Sequence, residues 1–438
     1  MSLWIYKKVG NIMFNQVHYQ DYLNILKEEL IPAQGCTEPI AVAYGAALAK
    51  QYLGCMPEHA SIQASGNIIK NAKSVVVPNT GGLKGMQAAI IAGLVGGNAD
   101  LGLEVLTQIT ADDIKEINTL MNTGLVKVEQ LDTPTTLHFI VQANAGDKEV
   151  QVEIKYAHTN VVRVSENGKD IFVSDNEDDY ASSLTDRSIL SIAQILDFVE
   201  EAKLEDYKEL LDLQIQYNMA IADEGLNNEY GINVGKSLID FGNGSLESKV
   251  KGYTAAGSDA RMAGCSLPVV TNSGSGNQGM TCSIPVITYA REKGIDYDTM
   301  MKALLLSNLV TIHIKTGLTR LSCYCGAVVA ASGAAAGMVY LDGGSPQQIE
   351  MAIANVLGDL SGVVCDGAKE SCATKIASSV DAAIMGKNLA SQNKVYGHGC
   401  GIVEDDIEAT IANVGKLGAV GMKETDQVIL DIMTNINN

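Results

Sequence analysis

The apolar positions in the first third of the chain follow two different spacings. Helical spacing runs through 19–53 and is interrupted at 31–35, where a proline and a glycine end one helix and let another begin. Further segments show helical or strand-like spacing, so this third is predicted to mix the two types. Strands are predicted at 60–64 and 74–77, and helices at 83–95 and 111–121.

Between 125 and 173 the pattern becomes that of short strands. Glu166-Asn167-Gly168-Lys169 predicts a tight hairpin, because Asn and Gly accept the positive φ angles of such turns. The N-terminal half of the chain is therefore predicted to be mixed α and β. Its five strands are predicted at 126–129, 136–143, 149–156, 161–165 and 170–173.

The second half of the chain has a different pattern. After Asp186 the apolar spacing is helical with glycine punctuation, and the acidic stretch 174–180 precedes this change. A chain of 438 residues also exceeds the roughly 250 to 300 residues at which one core stops growing. The predicted fold class is α+β, with a mixed N-terminal domain at 18–180 and a helical catalytic domain at 181–438.

The composition predicts a core built from small side chains. The chain is 46% apolar but only 5% aromatic, and it contains 43 glycines. The least charged stretch, 321–340, is as long as a membrane span, yet alanine, glycine and serine fill it instead of leucine and phenylalanine. We therefore predict a helix buried at the centre of a soluble bundle.

Charge and cysteine content limit the partners and the compartment. A formal net charge of -20 without a long Lys/Arg run disfavours nucleic acid and anionic membranes, which leaves a small molecule as the expected partner. The sequence leaves a homo-oligomer open. Nine cysteines without a secretory signal favour a cytoplasmic protein with free thiols or metal ligands.

Two cysteine-containing segments could hold a metal cluster. Cys323 lies in Leu321-Ser-Cys-Tyr-Cys-Gly, and Cys365 and Cys372 lie in one glycine- and alanine-rich segment. Three thiolates suit an iron-sulfur cubane whose fourth iron stays open as a Lewis acid. The spacing matches neither a zinc motif nor a ferredoxin, so buried structural thiols remain the alternative.

A glycine-rich segment at 272–282 precedes a predicted helix. The side chains of Ser273, Ser275, Asn277 and Gln278, together with free N–H groups at the helix start, suit a carboxylate ligand. A glycine-rich turn followed by an ordinary capped helix explains the same residues. Both interpretations stay open.

Ala33-Gln-Gly-Cys-Thr-Glu-Pro39 places a thiol, a hydroxyl and a carboxylate at a predicted helix start. The helix dipole can lower the pKa of the Cys36 thiol there, so Cys36 is a candidate acid/base group or fourth iron ligand. Thr37 and Glu38 are candidates for substrate binding. Ordinary helix capping by these two residues is the alternative, and it leaves only the cysteine unexplained.

Two further polar segments could bind a small polar substrate. Asn79 and Thr80 follow a predicted strand and precede a helix, and His158 lies between two predicted strands. A lone histidine at such a position is more often structural or exposed.

Taken together, these motifs resemble the L-cysteine desulfidase family, which is related to the iron-sulfur L-serine dehydratases. Gln34-Gly-Cys-Thr-Glu-Pro39, Ser273-Gly-Ser-Gly-Asn-Gln-Gly279 and the cysteine segments carry the resemblance, which spans about 20–435. It implies a pyridoxal-phosphate-independent elimination that converts L-cysteine to pyruvate, ammonia and hydrogen sulfide. It also implies a [4Fe-4S] cluster on Cys323, Cys365 and Cys372, with Cys36 acting in catalysis or ligation.

Details of the cysteine segments favour one branch of this group. The serine dehydratases have a Thr-Cys-Asp-Pro context and a wider cysteine separation, whereas this chain has Val364-Cys365-Asp366-Gly367. Cys325 could replace Cys323 as a ligand because the two lie in one loop. An iron-sulfur L-serine dehydratase and a non-catalytic, metal- or cluster-bearing amino-acid-binding protein are the alternative functions.

Overall fold

The computed structural model describes residues 18–175, 183–318 and 321–435. Within them a mixed sheet with helices is followed by a largely helical region, which confirms the predicted α+β class. The predicted domain boundary at 180/181 lies outside the described residues and stays a prediction.

The N-terminal region contains a six-stranded sheet in the order β3-β2-β4-β5-β6-β7. The β2–β3 pair is parallel and the other pairs are antiparallel. The helices of this region are α1 (Tyr19–Glu29), α2 (Thr37–Leu53), α3 (Gly66–Ala72), α4 (Gly85–Gly96) and α5 (Ala111–Leu120). The strands are β1 (Pro32–Gln34), β2 (His59–Ala64), β3 (Val126–Gln130), β4 (His138–Ala145), β5 (Lys148–Lys155), β6 (Val161–Glu166) and β7 (Lys169–Val173).

Local turn chemistry explains one confirmed prediction and one that was wrong. Asn167 and Gly168 have φ angles of 50° and 74°, and they form the predicted hairpin between β6 and β7. At 74–77 only an isolated bridge from Val76 to Lys84 forms instead of a strand. Pro78, which follows this stretch, has no N–H with which to continue a ladder.

The C-terminal region is helical apart from the short strand β8 (Pro268–Val270). The first helices are α6 (Ile192–Glu201), α7 (Leu204–Asn227), α8 (Val234–Phe241), α9 (Leu246–Met262), α10 (Gly276–Lys293) and α11 (Tyr297–Thr316). They are followed by α12 (Gly326–Leu341), α13 (Pro346–Asp359), α14 (Cys372–Ala390), α15 (Ile407–Lys416) and α16 (Lys423–Asn435).

Helix α12 lies inside this bundle, as the small residues of 321–340 predict. It packs against α10, α11, α13 and α14, and most of its residues are buried. At Gly333 a Cβ atom would lie 2.2 Å from the Thr311 Oγ1 atom and 2.4 Å from the Ser307 carbonyl oxygen, so only glycine allows this approach of α11. In the described parts of the chain, no helix has the length and apolar character required to span a membrane.

Among the described residues, the two largest hydrophobic cores correspond to the two regions, but one helix of the first region packs in the core of the second. One core lies between the sheet and helices α2 to α5, and the other fills the helical bundle. Helix α1 precedes the sheet in sequence, yet Tyr22, Ile25 and Leu26 pack in the core of the bundle. The antiparallel pair β1–β8 joins the two regions and places Cys36 beside the glycine-rich loop.

Candidate active site

Cys36 is the N-cap residue of α2 and is buried, with 2% of its surface exposed. Gly35 before it has a φ of 57°, and a Cβ atom there would lie 2.2 Å from the Pro78 ring. Thr37 does not cap the helix; its hydroxyl donates to the Gly274 carbonyl oxygen at 3.0 Å and to the Glu38 carboxylate at 3.2 Å. The capping interpretation of this segment is therefore wrong, and the motif connects α2 with the glycine-rich loop.

The Glu38 carboxylate is the centre of a buried polar cluster. It accepts hydrogen bonds from the Cys36 thiol at 3.1 Å and from the Asn71 amide at 3.2 Å. The His158 Nε2 atom lies 3.7 Å from the carboxylate. Burial raises the pKa of Glu38, but His158 and the Cys36 thiol outweigh it and bring the pKa to about 2. Glu38 is thus an ionised carboxylate at neutral pH.

The Cys36 thiol is protonated in this environment. Burial raises its pKa well above the usual value, and the negative charge of Glu38 raises it further, while Arg261 lowers it in part. The expectation that the α2 dipole lowers this pKa was wrong, because burial and the carboxylate outweigh the dipole. Cys36 is therefore a hydrogen-bond donor to Glu38, and a thiolate formed there would be a strong base.

The glycine-rich loop brings polar side chains to the same place. Ser273 and Gly274 have positive φ angles of 51° and 79°, which turn the chain from β8 into α10. The Ser275 side chain caps α10 by accepting from the Gln278 N–H. Ser275, Asn277 and Gln278 also line a cavity together with Cys36. The same segment therefore both caps α10 and lines the cavity.

The two cysteine segments meet through an isolated bridge between Tyr324 and Val364. The Cys365 N–H donates to the Cys323 carbonyl oxygen at 2.6 Å, and the Cys325 N–H donates to the Val363 carbonyl oxygen at 3.1 Å. Cys325 is the N-cap residue of α12 and lines the cavity, whereas Cys323 does not. The structure thus favours Cys325 over Cys323 as the partner of Cys365 and Cys372.

This cavity, the thiol compartment, has about 620 Å³ of space including its opening to solvent. Burial raises the pKa of Cys325 to about 12, and the nearby Cys365 and Cys372 add to the increase. Burial also raises the pKa of Cys372. The four cysteines that line the compartment are Cys36, Cys325, Cys365 and Cys372.

The thiols that line the compartment are the type of donor that an iron-sulfur cluster takes. Among the residues that the structure describes, no three His, Cys, Asp or Glu side chains form a group that could hold one metal ion. A cluster takes one thiolate per iron, so its ligands stand further apart than those of a single ion. Cys325, Cys365 and Cys372 would supply three thiolates to such a cluster, and its fourth iron would then lack a protein thiolate from this set.

Two cations that the sequence analysis missed line the thiol compartment: Arg261 and Lys375. Arg261 is 2% exposed and donates to the Asn277 side-chain oxygen at 3.0 Å. Within the described ranges, no carboxylate lies within ion-pair distance of its guanidinium. A buried cation without a counter-charge is costly and favours an anionic ligand. One sequence feature could have pointed to Arg261: two charged residues, Asp259 and Arg261, lie within a part of α9 that consists mainly of small, buried residues.

A second, polar compartment of about 470 Å³ adjoins the first. Ser273, His158 and Tyr324 line it, and His158 is 3% exposed, so the predicted site includes this histidine. Both compartments share part of their lining, which includes Glu38, Asn71, Ser275, Gln278 and Cys365.

Asn79 and Thr80 lie outside both compartments. The Asn79 amide donates to the Leu106 carbonyl oxygen at 2.9 Å, and the Thr80 hydroxyl donates to the Val77 carbonyl oxygen at 2.7 Å. Their polar groups thus form hydrogen bonds with backbone carbonyl oxygens of their own loop and of a neighbouring segment. The structure therefore does not bring Asn79 and Thr80 together with the other predicted site residues, and their role in substrate binding stays a prediction.

Similarity to known proteins identifies the family. The family model for the serine dehydratase alpha chain matches residues 100–431. A UPF0597 protein of Desulfitobacterium hafniense is 48% identical over 418 residues, which is 95% of this chain and 97% of that protein. UPF0597 proteins of Lachnoclostridium phytofermentans and Treponema denticola are 48% and 45% identical, over 95% of this chain and 100% and 98% of theirs. The chain belongs to the UPF0597 family.

The UPF0597 chain therefore carries a serine dehydratase alpha chain domain, which confirms the relationship to serine dehydratases that the motifs indicate. The matched residues include the glycine-rich loop, Arg261 and all three cysteines of the C-terminal half that line the thiol compartment. Cys36, Glu38 and Asn71 precede the matched range. The UPF0597 relatives, in contrast, align over nearly the whole chain.

Proposed function

We propose that the protein is a pyridoxal-phosphate-independent lyase that converts L-cysteine to pyruvate, ammonia and hydrogen sulfide. The observation that carries the proposal is the convergence of Cys325, Cys365 and Cys372 with Cys36 on one cavity. The serine dehydratase alpha chain domain supports the reaction class. The substrate preference rests on the sequence context of Cys365.

In this proposal Cys325, Cys365 and Cys372 hold a [4Fe-4S] cluster. When bound, the cluster supplies a Lewis-acidic iron that stabilises developing negative charge during elimination. Lys375 lines the same compartment and donates to the Val364 carbonyl oxygen at 2.9 Å, so its charge supports the loop that carries Cys365. This positive charge favours the thiolate forms of the ligands.

The substrate carboxylate is bound at the start of α10. Arg261 lacks a carboxylate partner among the described residues, and a bidentate guanidinium–carboxylate pair is a strong form of recognition. Ser275 and Gln278 line the compartment beside Arg261, and the free N–H groups at the helix start favour the same charge. Asn277 holds the guanidinium in place through its side-chain oxygen.

Cys36 moves the α-proton in this scheme. In the fraction of molecules whose Cys36 has lost its proton to solvent, the thiolate removes the proton from the α-carbon of L-cysteine. The Cβ–S bond then breaks, and sulfide leaves with its electron pair and takes this proton from the Cys36 thiol. The product, 2-aminoacrylate, tautomerises to an imine that water hydrolyses to pyruvate and ammonia. Glu38 receives the Cys36 hydrogen bond and fixes the thiol within the compartment.

An L-serine dehydratase is the second candidate, because the matched family model describes a serine dehydratase chain. The same residues serve both substrates, since the exchange of sulfur for oxygen changes the pocket volume little. Hydroxide is a poorer leaving group than sulfide, so a serine enzyme needs stronger protonation or metal binding of that group.

The proposal is tested by anaerobic purification with iron and sulfide, followed by the visible spectrum and by pyruvate assays with L-cysteine and L-serine. A broad iron-sulfur band, with pyruvate and sulfide from L-cysteine and no pyridoxal absorbance, is the expected result. Pyruvate from L-serine alone would assign the protein to the dehydratases. Amino-acid binding without pyruvate release from either substrate would assign it to non-catalytic binding proteins.

A further inference from the structure

Three buried polar atoms of the polar compartment have no hydrogen-bond partner among the described residues. They are the Asn71 Oδ1, Tyr324 Oη and His158 Nε2 atoms; the last faces the Glu38 carboxylate at 3.7 Å, an ion-pair distance that is too long for a hydrogen bond. The three residues are exposed by 8%, 1% and 3%. A buried polar group without a partner is destabilising, so several such atoms around one cavity indicate a polar ligand.

The orientation of the Asn71 amide is determined by Glu38. A carboxylate only accepts hydrogen bonds, so the Asn71 Nδ2 group faces the Glu38 Oε1 atom, at 3.2 Å. The Asn71 Oδ1 atom is then a buried acceptor that no described donor reaches. Beside it lies the ionised Glu38 carboxylate, whose pKa of about 2 keeps it negative.

These acceptors match a cationic N–H donor. Glu38 contributes negative charge, Asn71 contributes a carbonyl oxygen, and the Tyr324 hydroxyl can accept as well. An alkylammonium group carries three N–H donors and needs this number of acceptors. Lys315 also lines the polar compartment and could compete for these acceptors, but the Asn71 Oδ1 atom has no hydrogen-bond partner among the described residues, so Lys315 does not occupy it.

We propose that Glu38 and Asn71 bind the α-ammonium group of the substrate, and that Asn71 selects amino acids over analogues without the amino group. The inference rests on the proposed function for the class of substrate. Because both residues line both compartments, the α-carbon attached to this ammonium is placed between the polar compartment and the thiols. The carboxylate and the β-substituent then extend toward Arg261 and the cysteines.

The size of the effect follows from the type of hydrogen bond. A hydrogen bond to a charged group contributes about 1.5–3 kcal/mol, which corresponds to roughly a 10- to 100-fold difference in affinity. We therefore expect the protein to bind L-alanine at least about tenfold more tightly than propionate. The two probes share the carboxylate and the carbon chain and differ in the ammonium group, and neither can undergo β-elimination.

The test is anaerobic calorimetry of both probes with the cluster-loaded protein and its variants. Asn71→Leu, which keeps similar volume but removes the acceptor, is expected to reduce the L-alanine to propionate affinity ratio about tenfold. Propionate has no ammonium group, so an unchanged propionate affinity in Asn71→Leu excludes a folding defect as the cause of the lower ratio. Asn355→Leu is the matched control, because Asn355 is also buried but donates to backbone carbonyl oxygens of its own region, outside both compartments.

The outcomes separate this inference from the proposed function. Equal affinity of the wild-type protein for the two probes, no binding of either, or an unchanged ratio in Asn71→Leu would overturn the role of Asn71. These results hold whether or not pyruvate is released from L-cysteine. If the affinity ratios are as expected but no pyruvate is released, the proposed elimination is overturned and the ammonium site remains supported.

Discussion

The Cys36 thiol donates a hydrogen bond to the Glu38 carboxylate, with 3.1 Å between the Sγ and Oε2 atoms. Both side chains are buried at the start of α2, where the carboxylate also meets Asn71 and lies near His158. The pair combines an ionised acid with a protonated thiol. This arrangement sets the protonation state from which the proposed proton transfer begins.

The raised pKa of Cys36 predicts a pH dependence. Below this pKa the thiolate fraction grows about tenfold per pH unit, so kcat should rise with pH through neutrality. Glu38→Gln removes a charge that raises the pKa of Cys36, so the rise should move to lower pH. The measurement is kcat against pH with L-serine and L-cysteine, because the hydroxyl of serine does not titrate in this range. A profile unchanged by the substitution would contradict the coupling of the two residues.

Cys36→Ser should reduce turnover by about 100-fold or more, because general acid–base groups contribute about 10²- to 10⁴-fold. The hydroxyl of serine is a much weaker acid than the thiol, so little alkoxide forms to accept the α-proton. The visible iron-sulfur band should persist, since Cys36 is not among the three proposed ligands. Cys265→Ser is a suitable control, because Cys265 is buried outside the thiol compartment. Full turnover of Cys36→Ser would remove Cys36 from the mechanism.

Gly276→Ala should weaken carboxylate binding. A Cβ atom at Gly276 would lie 2.5 Å from the Arg261 Nε atom and 2.7 Å from its Cζ atom, so the guanidinium must move. Loss of a charged hydrogen bond corresponds to an increase of about 10- to 100-fold in KM for L-cysteine. Gly397→Ala, where nothing lies within 4 Å of the added atom, should leave KM unchanged. Equal KM values for the two variants would argue against Arg261 as the carboxylate ligand.

Asp259 predicts a pH dependence of stability that is independent of the reaction. Burial raises its pKa to about 6, although it accepts the Gly235 N–H at the start of α8. A carboxyl group with a raised pKa in the folded state stabilises the fold below about pH 4, and this stabilisation is lost as the pH rises through 6. Asp259→Asn should therefore raise the free energy of unfolding at pH 7 by up to roughly 3 kcal/mol.

Urea unfolding at pH 4 and pH 7 measures this effect. At pH 4 the carboxyl of the wild-type protein is protonated when folded, so the variant and the wild type should differ little. A variant that is less stable than the wild type at pH 7 would show that the carboxylate charge has a favourable partner instead of a desolvation cost.

Local patterns predicted most elements of the fold because their signals lie within a few residues. The hairpin at Asn167-Gly168 and the small-residue helix α12 follow from turn chemistry and from side-chain size. The packing of α1 in the helical bundle was not predictable in this way. It accompanies the pairing of β1 with β8, which joins residues more than 230 positions apart.

The candidate site shows the same division between local and long-range information. The motifs around Cys36 and Ser275 identified the site. Which cysteine of Cys323-Tyr324-Cys325 lines the cavity, however, depends on the bridge between Tyr324 and Val364. Asn71 and Arg261 come from helices without a recognisable motif, and only the fold brings them to the cavity. Asn79 and Thr80 lie apart from the cavity, where backbone carbonyl oxygens accept their hydrogen bonds.

The most direct test of the central claim compares Cys325→Ala with Cys323→Ala after anaerobic reconstitution, by iron content and visible absorption. The account predicts about four irons per chain in the wild-type protein and in Cys323→Ala, and loss of the band and of iron in Cys325→Ala. An intact cluster in Cys325→Ala together with its loss in Cys323→Ala would contradict the assignment. A wild-type protein that takes up no iron would contradict the iron-sulfur centre itself.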